Sequence, residues 1–158
     1  MELTSRLDPM TLHQRKKPDA MFKKIAVTPE EVDTIVSSWT TAKTLCDPEQ
    51  TGGNISAVAL YFKPGQGHAR HNHPETEQLI YVISGKGEMM IEEPDGTQIK
   101  QTITGGSLVN IPKGAYHSTF NTGWEALRVF AVYSPPGPES VMRNSPEFTI
   151  FPPGEVPR

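Results

Sequence analysis

From residue 55 to residue 133 the chain alternates short β-type segments with turn sequences. Eight segments are predicted strands, and they cover residues 55–63, 70–73, 77–83, 87–92, 97–103, 107–111, 117–120 and 126–133. Turn sequences rich in Gly and Pro, such as PGQG, SGKG and EPDG, separate them. Because many short strands with regular turns are typical of a jelly roll or a similar small β-barrel, the chain is predicted to be all-β.

Two histidines in this region are spaced to bind one metal ion. His71 and His73 are two residues apart in a predicted strand, so their side chains point to the same face. Two imidazole nitrogens on one strand face form half of a metal site. Gln78 lies just before the apolar run of the next strand, and His117 lies at the start of a later strand.

Two longer motifs frame these residues. The first, residues 65–85, reads GQGHARHNHPETEQLIYVISG, and the second, residues 106–121, reads GSLVNIPKGAYHSTFN. Together they resemble the paired motifs of the cupin superfamily. The first motif matches at Gly65, His71, His73 and Gly85, and the second at Gly106, Pro112, Gly114, His117 and Asn121.

The position that usually holds a glutamate in the first motif holds a glutamine here. The spacing to Gly85 places Gln78 in this position, whereas Glu77 lies one residue early. Neighbouring strand residues point to opposite faces, so only one of the two shares the interior with the histidines, and the spacing favours Gln78. Some small cupins carry a glutamine ligand at this position, including those similar to the pectin-degradation protein KdgF and the polyketide cyclase RemF.

The resemblance implies a single-domain jelly-roll barrel whose metal ligands are His71, His73, Gln78 and His117. Three imidazoles and one amide oxygen suit one divalent transition metal ion, which can be Zn, Fe, Ni, Mn or Co. A neutral glutamine leaves the ion its full positive charge, which favours Lewis-acid chemistry on a small oxygenated substrate such as a sugar acid or keto acid. The expected reaction is an isomerase, lyase or cyclase reaction.

Two alternatives to this function stay open at this point. One is an Fe(II)-dependent dioxygenase, a frequent activity among small cupins, although those enzymes often keep the carboxylate that this chain lacks. The other is a non-catalytic cupin that binds a metabolite. For each of them the resemblance implies a small-molecule ligand and a homodimer.

Three further residues are candidates for a catalytic acid or base. Glu75 and Glu77 lie close to the metal-binding motif, where either is able to reach the mouth of a pocket. His68 stands at an odd spacing from His71, which places it on the opposite strand face, although the nearby glycines favour a loop. The ordinary alternative for all three is a solvated or salt-bridged surface side chain.

The rest of the chain divides into four predicted parts. These are an N-terminal arm (1–27), an amphipathic helix and loop (28–50), the barrel (51–134) and a proline-rich tail (135–158) that packs on the barrel or on a partner subunit. Thr28 is the predicted N-cap of the helix, and Val32, Ile35, Val36 and Trp39 form its apolar stripe. The prolines keep the tail out of central strands, but residues 147–151 are a possible edge strand.

Composition narrows the possible partners and compartments. A chain of 158 residues suits one domain, and its net charge of −3 provides no basic surface for nucleic acid. The sequence contains no apolar run long enough to span a membrane. Its single cysteine, Cys46, cannot form an internal disulfide, which suits a reducing compartment, so a cytoplasmic location is expected.

Overall fold

The computed structural model describes residues 26–157, which form two antiparallel β-sheets and three short helical segments. The strands are β1 (Thr34–Val36), β2 (Thr41–Cys46), β3 (Ser56–Phe62), β4 (Gly67–His71), β5 (Glu77–Ser84), β6 (Lys86–Glu92), β7 (Gln98–Thr104), β8 (Leu108–Ile111), β9 (His117–Asn121), β10 (Leu127–Ser134) and β11 (Thr149–Phe151). The helical segments are a 3-10 turn (Pro29–Glu31), α1 (Pro48–Thr51) and α2 (Pro138–Asn144). No helix in this part of the chain is long and apolar enough to cross a membrane.

The eight predicted strands are all present, as β3 to β10. In β5 the alternation of side chains is regular: Gln78, Ile80 and Val82 are buried, while Leu79 and Tyr81 are exposed. Residue 78 therefore faces the interior and residue 77 faces solvent, as the period of a strand requires.

The two sheets enclose one hydrophobic core. The larger sheet has the order β11-β1-β2-β3-β10-β5-β8, and the smaller has the order β4-β9-β6-β7. Phe62, Val82 and Val129 from the larger sheet and Met89 and Ile103 from the smaller are each at most 3% exposed. Among residues 26–157 neither sheet closes on itself, so the jelly roll is an open sandwich and not the closed barrel that was predicted.

The helix predicted after Thr28 is wrong. Only the 3-10 turn forms, with the Thr28 N–H donating to the Glu31 carboxylate at 2.8 Å, and the chain then enters β1. Three β-branched residues in a row (34–36) favour a strand, and Ile35 is completely buried in the core as part of it. The apolar spacing that resembled a helical stripe therefore belongs to a strand and to the turn that carries Trp39.

The proline-rich tail is more structured than predicted. Pro138 begins α2 at a position where the missing N–H costs nothing, and Met142 anchors this helix in the core. The predicted edge strand is confirmed as β11, which pairs with β1 through Ile35 and Ile150. The tail thus packs on the chain's own sandwich, and α2 is held beside the histidines described next. The N-terminal arm predicted for residues 1–27 lies outside the described residues except for its last two.

Candidate metal centre

Pairing of β4 with β9 brings two of the predicted ligands together. His71 and His117 are direct cross-strand partners, and their ring centroids lie 4.2 Å apart. Gly67 at the start of β4 makes this pairing possible, because a Cβ there would clash with the backbone of Thr119 and Phe120. The strands therefore approach closely enough for both imidazoles to share one interior site.

His73 completes a triad just after β4 ends. Its ring lies 4.9 Å from that of His71 and 5.4 Å from that of His117. One ligand nitrogen from each of the three histidines lies within 4.8 Å of the others. Gly114, with a positive φ of 76°, forms the turn that precedes β9, and its N–H donates to the His73 carbonyl oxygen at 3.0 Å.

Hydrogen bonds fix the orientation of two imidazoles. Nδ1 of His71 lies 2.7 Å from the Ala69 carbonyl oxygen, and Nδ1 of His117 lies 2.9 Å from the Ala115 carbonyl oxygen. A carbonyl oxygen only accepts, so each Nδ1 carries the proton and each Nε2 keeps a free lone pair. Metal-binding histidines show this arrangement, in which the second nitrogen is anchored to the backbone.

Two buried acceptors on the predicted ligands have no hydrogen-bond partner among residues 26–157. They are Nε2 of His117, a residue that is 1% exposed, and Oε1 of Gln78, a residue that is 3% exposed. Gln78 pairs with Tyr133 across β5 and β10, and the Tyr133 ring contacts His73 edge-on at 5.7 Å. Buried acceptors without partners are rare in proteins, and a cation is a partner that satisfies lone pairs of this kind. The donor set therefore fits a divalent transition metal ion.

Burial keeps these histidines neutral. Desolvation, followed by repulsion from His71, lowers the pKa of His73 and that of His117 to about 4. Desolvation also lowers the pKa of His71. Neutral imidazoles do not need to release a proton before they bind a cation, so the site is prepared for metal near neutral pH.

His68 joins the same cluster because of a β-bulge. The pairing of β4 with β9 shifts register between His68 and His71, so the regular alternation of faces is interrupted. The two rings consequently stack at 3.6 Å, and the other face of His68 stacks on Trp39 at 4.0 Å. Burial, followed by the neighbouring histidines, lowers the pKa of His68 to about 3. His68 is therefore neutral and is a weak base.

A cavity of about 320 Å³ opens beside the triad. His71 and His73 face it from β4 and the following turn, and α2 and the tail form its opposite wall. Its remaining lining residues are Trp39, Leu60, His68, Asn72, Tyr133, Pro138, Val141, Met142, Ser145, Glu147 and Phe148. A larger cavity of about 890 Å³ lies toward the edges formed by β7 and β8, and it contains none of the four predicted ligands. The smaller cavity is therefore the one that matters for the candidate centre.

Comparison with known proteins agrees with this architecture. Residues 59–133 match the family described as Cupin domain. This match supports a relationship of the chain to the cupin superfamily. The Rhicadhesin receptor of Pisum sativum is 27% identical over 99 residues, which are 63% of this chain and 46% of that protein. Glucose-6-phosphate isomerase of Thermococcus onnurineus is 32% identical over 74 residues, which are 47% of this chain and 38% of that protein.

Solved structures of oxalate decarboxylases show a similar fold at low sequence identity. A deletion mutant of oxalate decarboxylase from Bacillus subtilis superposes with a TM-score of 0.63 at 24% identity, covering 68% of this chain and 29% of that one. A formate complex of Lactobacillus farciminis oxalate decarboxylase gives a TM-score of 0.61 at 22% identity, covering 66% and 31%. The chain spans less than half the length of each relative named here.

Two predicted acid or base residues are exposed and do not line the cavity. Glu77 is exposed on β5, on the face opposite Gln78. Glu75 is also exposed, and its carboxylate forms an ion pair with Lys113 at 2.7 Å. Neither is among the residues that line the cavity, so their role as an acid or base stays a prediction.

The sequence analysis missed residues from distant parts of the chain that line the cavity beside the candidate centre. Trp39 Nε1 donates to Glu147 Oε1 at 2.7 Å across 108 residues of sequence. Phe148 packs edge-on against Trp39 at 5.8 Å. No local sequence pattern predicts these contacts, because they depend on the pairing of β11 with β1.

Proposed function

We propose that this chain is a metal-dependent cupin enzyme that uses a divalent ion as a Lewis acid on a small oxygenated substrate. His71, His73 and His117 would hold the ion, with Gln78 as the fourth ligand. The reaction class that we favour is isomerase, lyase or cyclase. The partial similarity to a glucose-6-phosphate isomerase supports the isomerase class. We further propose that the chain acts as a homodimer.

The single observation that carries this proposal is the pair of buried acceptors without partners. Leaving one buried acceptor unsatisfied costs about 1–3 kcal/mol, so a partner for that acceptor would stabilise the folded protein. Nε2 of His117 belongs to the histidine triad on the smaller sheet, and Oε1 of Gln78 is buried on β5 of the larger sheet. A bound cation would satisfy these acceptors together.

When bound, such an ion supplies positive charge that polarises a carbonyl or hydroxyl oxygen of the substrate. The protein's own residues supply binding, orientation and proton transfer. Nδ1 of His71 and of His117 each donate to a backbone carbonyl and so keep the rings aimed inward. Among residues 26–157, Glu147 is the only carboxylate that lines the cavity, and we assign it the role of proton acceptor in place of Glu75 and Glu77.

Metal content and turnover test the proposal together. Purified protein loaded with Zn, Fe, Ni, Mn or Co is expected to retain one ion per chain, and His117→Ala is expected to retain none. Glu147→Gln is expected to keep the metal and lose turnover, whereas the matched exposed variant Glu75→Gln keeps both. Wild-type protein that retains no ion after loading with any of these metals would contradict the proposal.

An Fe(II)-dependent dioxygenase is the second candidate, because three imidazole ligands suit Fe(II) as well as Zn. Substrate-dependent oxygen consumption by the iron-loaded protein distinguishes it from Lewis-acid chemistry, which consumes none. A protein that binds ion and ligand but converts no substrate would instead be the non-catalytic cupin.

A further inference from the structure

We infer that the cavity beside the histidines selects a small substrate with an uncharged, apolar body and a single oxygen-bearing group that reaches the ion. Phosphate esters and dicarboxylates are excluded as preferred substrates. This inference rests on the proposed function, since it assumes that the triad holds a metal. It goes further in naming the chemical class that the rest of the cavity accepts.

The size of the cavity limits the substrate. About 320 Å³ corresponds to roughly ten water-sized groups, so a single ring or a short branched chain fills it. Its walls are mostly apolar, with Leu60, Val141, Met142 and Phe148 among the lining residues. Trp39 adds an aromatic surface that is held in place by stacking on His68 and by its bond to Glu147. These walls favour carbon over hydroxyl groups.

The charges around the cavity oppose a second anionic group. Among the described residues, its lining contains no lysine or arginine, and its one charged side chain is Glu147. The nearest cation in sequence on α2, Arg143, points elsewhere and pairs with Asp33 at 2.8 Å and Asp47 at 3.6 Å. A phosphate or second carboxylate that extends beyond the ion into this cavity would therefore face Glu147 without a side-chain cation to pair with.

This chemistry separates the chain from relatives that it resembles. Glucose 6-phosphate and oxalate, the compounds in the names of those relatives, each carry about two negative charges at neutral pH. Any anionic group of such a compound that does not bind the ion needs a cationic or strongly donating side chain. The shared fold therefore does not transfer their substrates to this cavity.

Two hydroxamic acids with the same chelating group test the inference directly. Calorimetric titration of the Zn-loaded full chain should show benzohydroxamate binding at least about tenfold more tightly than acetohydroxamate, because only the former places a ring against the apolar walls. Phe148→Ala should reduce this ratio, because it removes part of the apolar wall. Thermal melting of each variant shows that it is folded.

A charge added at the cavity mouth tests the electrostatic part. Val141 is 66% exposed and lines the cavity, so Val141→Lys places an ammonium there without disturbing the core. Oxalate affinity for the Zn-loaded variant should rise at least fivefold over the wild type. Val156→Lys is the matched control, because it adds the same charge at a residue that is 78% exposed and does not line the cavity.

The outcomes distinguish this inference from the proposed function. If one ion binds per chain but wild-type protein prefers acetohydroxamate or binds oxalate tighter than benzohydroxamate, the inference is overturned and the metal proposal stands. An unchanged oxalate affinity in Val141→Lys also contradicts the electrostatic argument. If no ion binds, the proposed function itself fails.

Discussion

Replacing Gln78 by methionine should make the metal-free protein more stable and should reduce the stabilisation that metal binding provides. Oε1 of Gln78 is buried and has no hydrogen-bond partner among residues 26–157, so the metal-free fold carries an unsatisfied acceptor. Methionine has a similar length, fills irregular space and has no acceptor of comparable strength. Removing the desolvation cost should raise the free energy of unfolding by about 1–3 kcal/mol. For a chain of this size that corresponds to a melting temperature about 3–9 °C higher.

The stabilisation gained on binding Zn should fall in this variant. Zn at 100 times its dissociation constant stabilises the wild type by about 2.7 kcal/mol. If the loss of one ligand weakens binding tenfold, the same Zn concentration stabilises Gln78→Met by only about 1.4 kcal/mol. The gain in melting temperature on adding Zn should therefore fall by about half.

Thermal melts followed by circular dichroism, with EDTA and with Zn, measure both effects. Gln101→Met is the matched control, because Gln101 is exposed on β7 and the same change there removes no buried acceptor. A metal-free Gln78→Met protein that melts below the wild type would refute the reasoning, since the amide would then be making interactions that the structure does not contain. An unchanged response to Zn would show that Gln78 is not a ligand.

Three further outcomes are expected. His71→Ala should abolish stoichiometric metal binding, whereas His68→Ala should retain one ion per chain; atomic emission measures both, and equal loss would contradict the assignment of ligands. The metal-free protein should lose stability as the pH falls from 6.5 toward 4, because His117 takes up a proton in the unfolded chain before it does so in the folded protein, where its pKa is about 4. Urea titrations at several pH values measure this loss, and His117 should contribute no further loss below about pH 4. Gly67→Ala should destabilise the fold by about 1–3 kcal/mol because its Cβ would clash with β9, and equal stability in this variant and in Gly53→Ala, on an exposed loop, would contradict the close approach of the strands.

The homodimer expected from the resemblance is also testable. The outer face of the larger sheet exposes a row of apolar side chains: Leu79, Tyr81 and Ile83 on β5, and Leu108 on β8. A second copy of the chain would cover this row. Light scattering should give twice the chain mass for the wild type and the mass of one chain for Tyr81→Lys. A monomeric wild type would contradict the proposed homodimer.

The strands and the histidine triad were predictable because they depend on local rules. Alternation in β5 determines that Gln78 faces inward. His71 and His73 do share one site as predicted, although β4 ends at His71 and His73 lies in the following turn. Contacts between distant segments were not predictable in this way. Trp39 reaches the cavity only because β1 pairs with β2 and β11. The apolar spacing of residues 32–39 predicts a helix, whereas residues 34–36 form a strand. His68 joins the cluster through a bulge, which strict alternation does not anticipate.

X-ray absorption at the metal edge of the Zn-loaded protein tests the central claim most directly. The account predicts imidazole scattering from three histidines and a light oxygen or nitrogen shell at about 2.0–2.1 Å. His117→Ala should lose the imidazole signal or fail to bind the ion. A spectrum with water oxygens only, or with fewer than two imidazoles per Zn, would contradict a metal centre built on His71, His73 and His117.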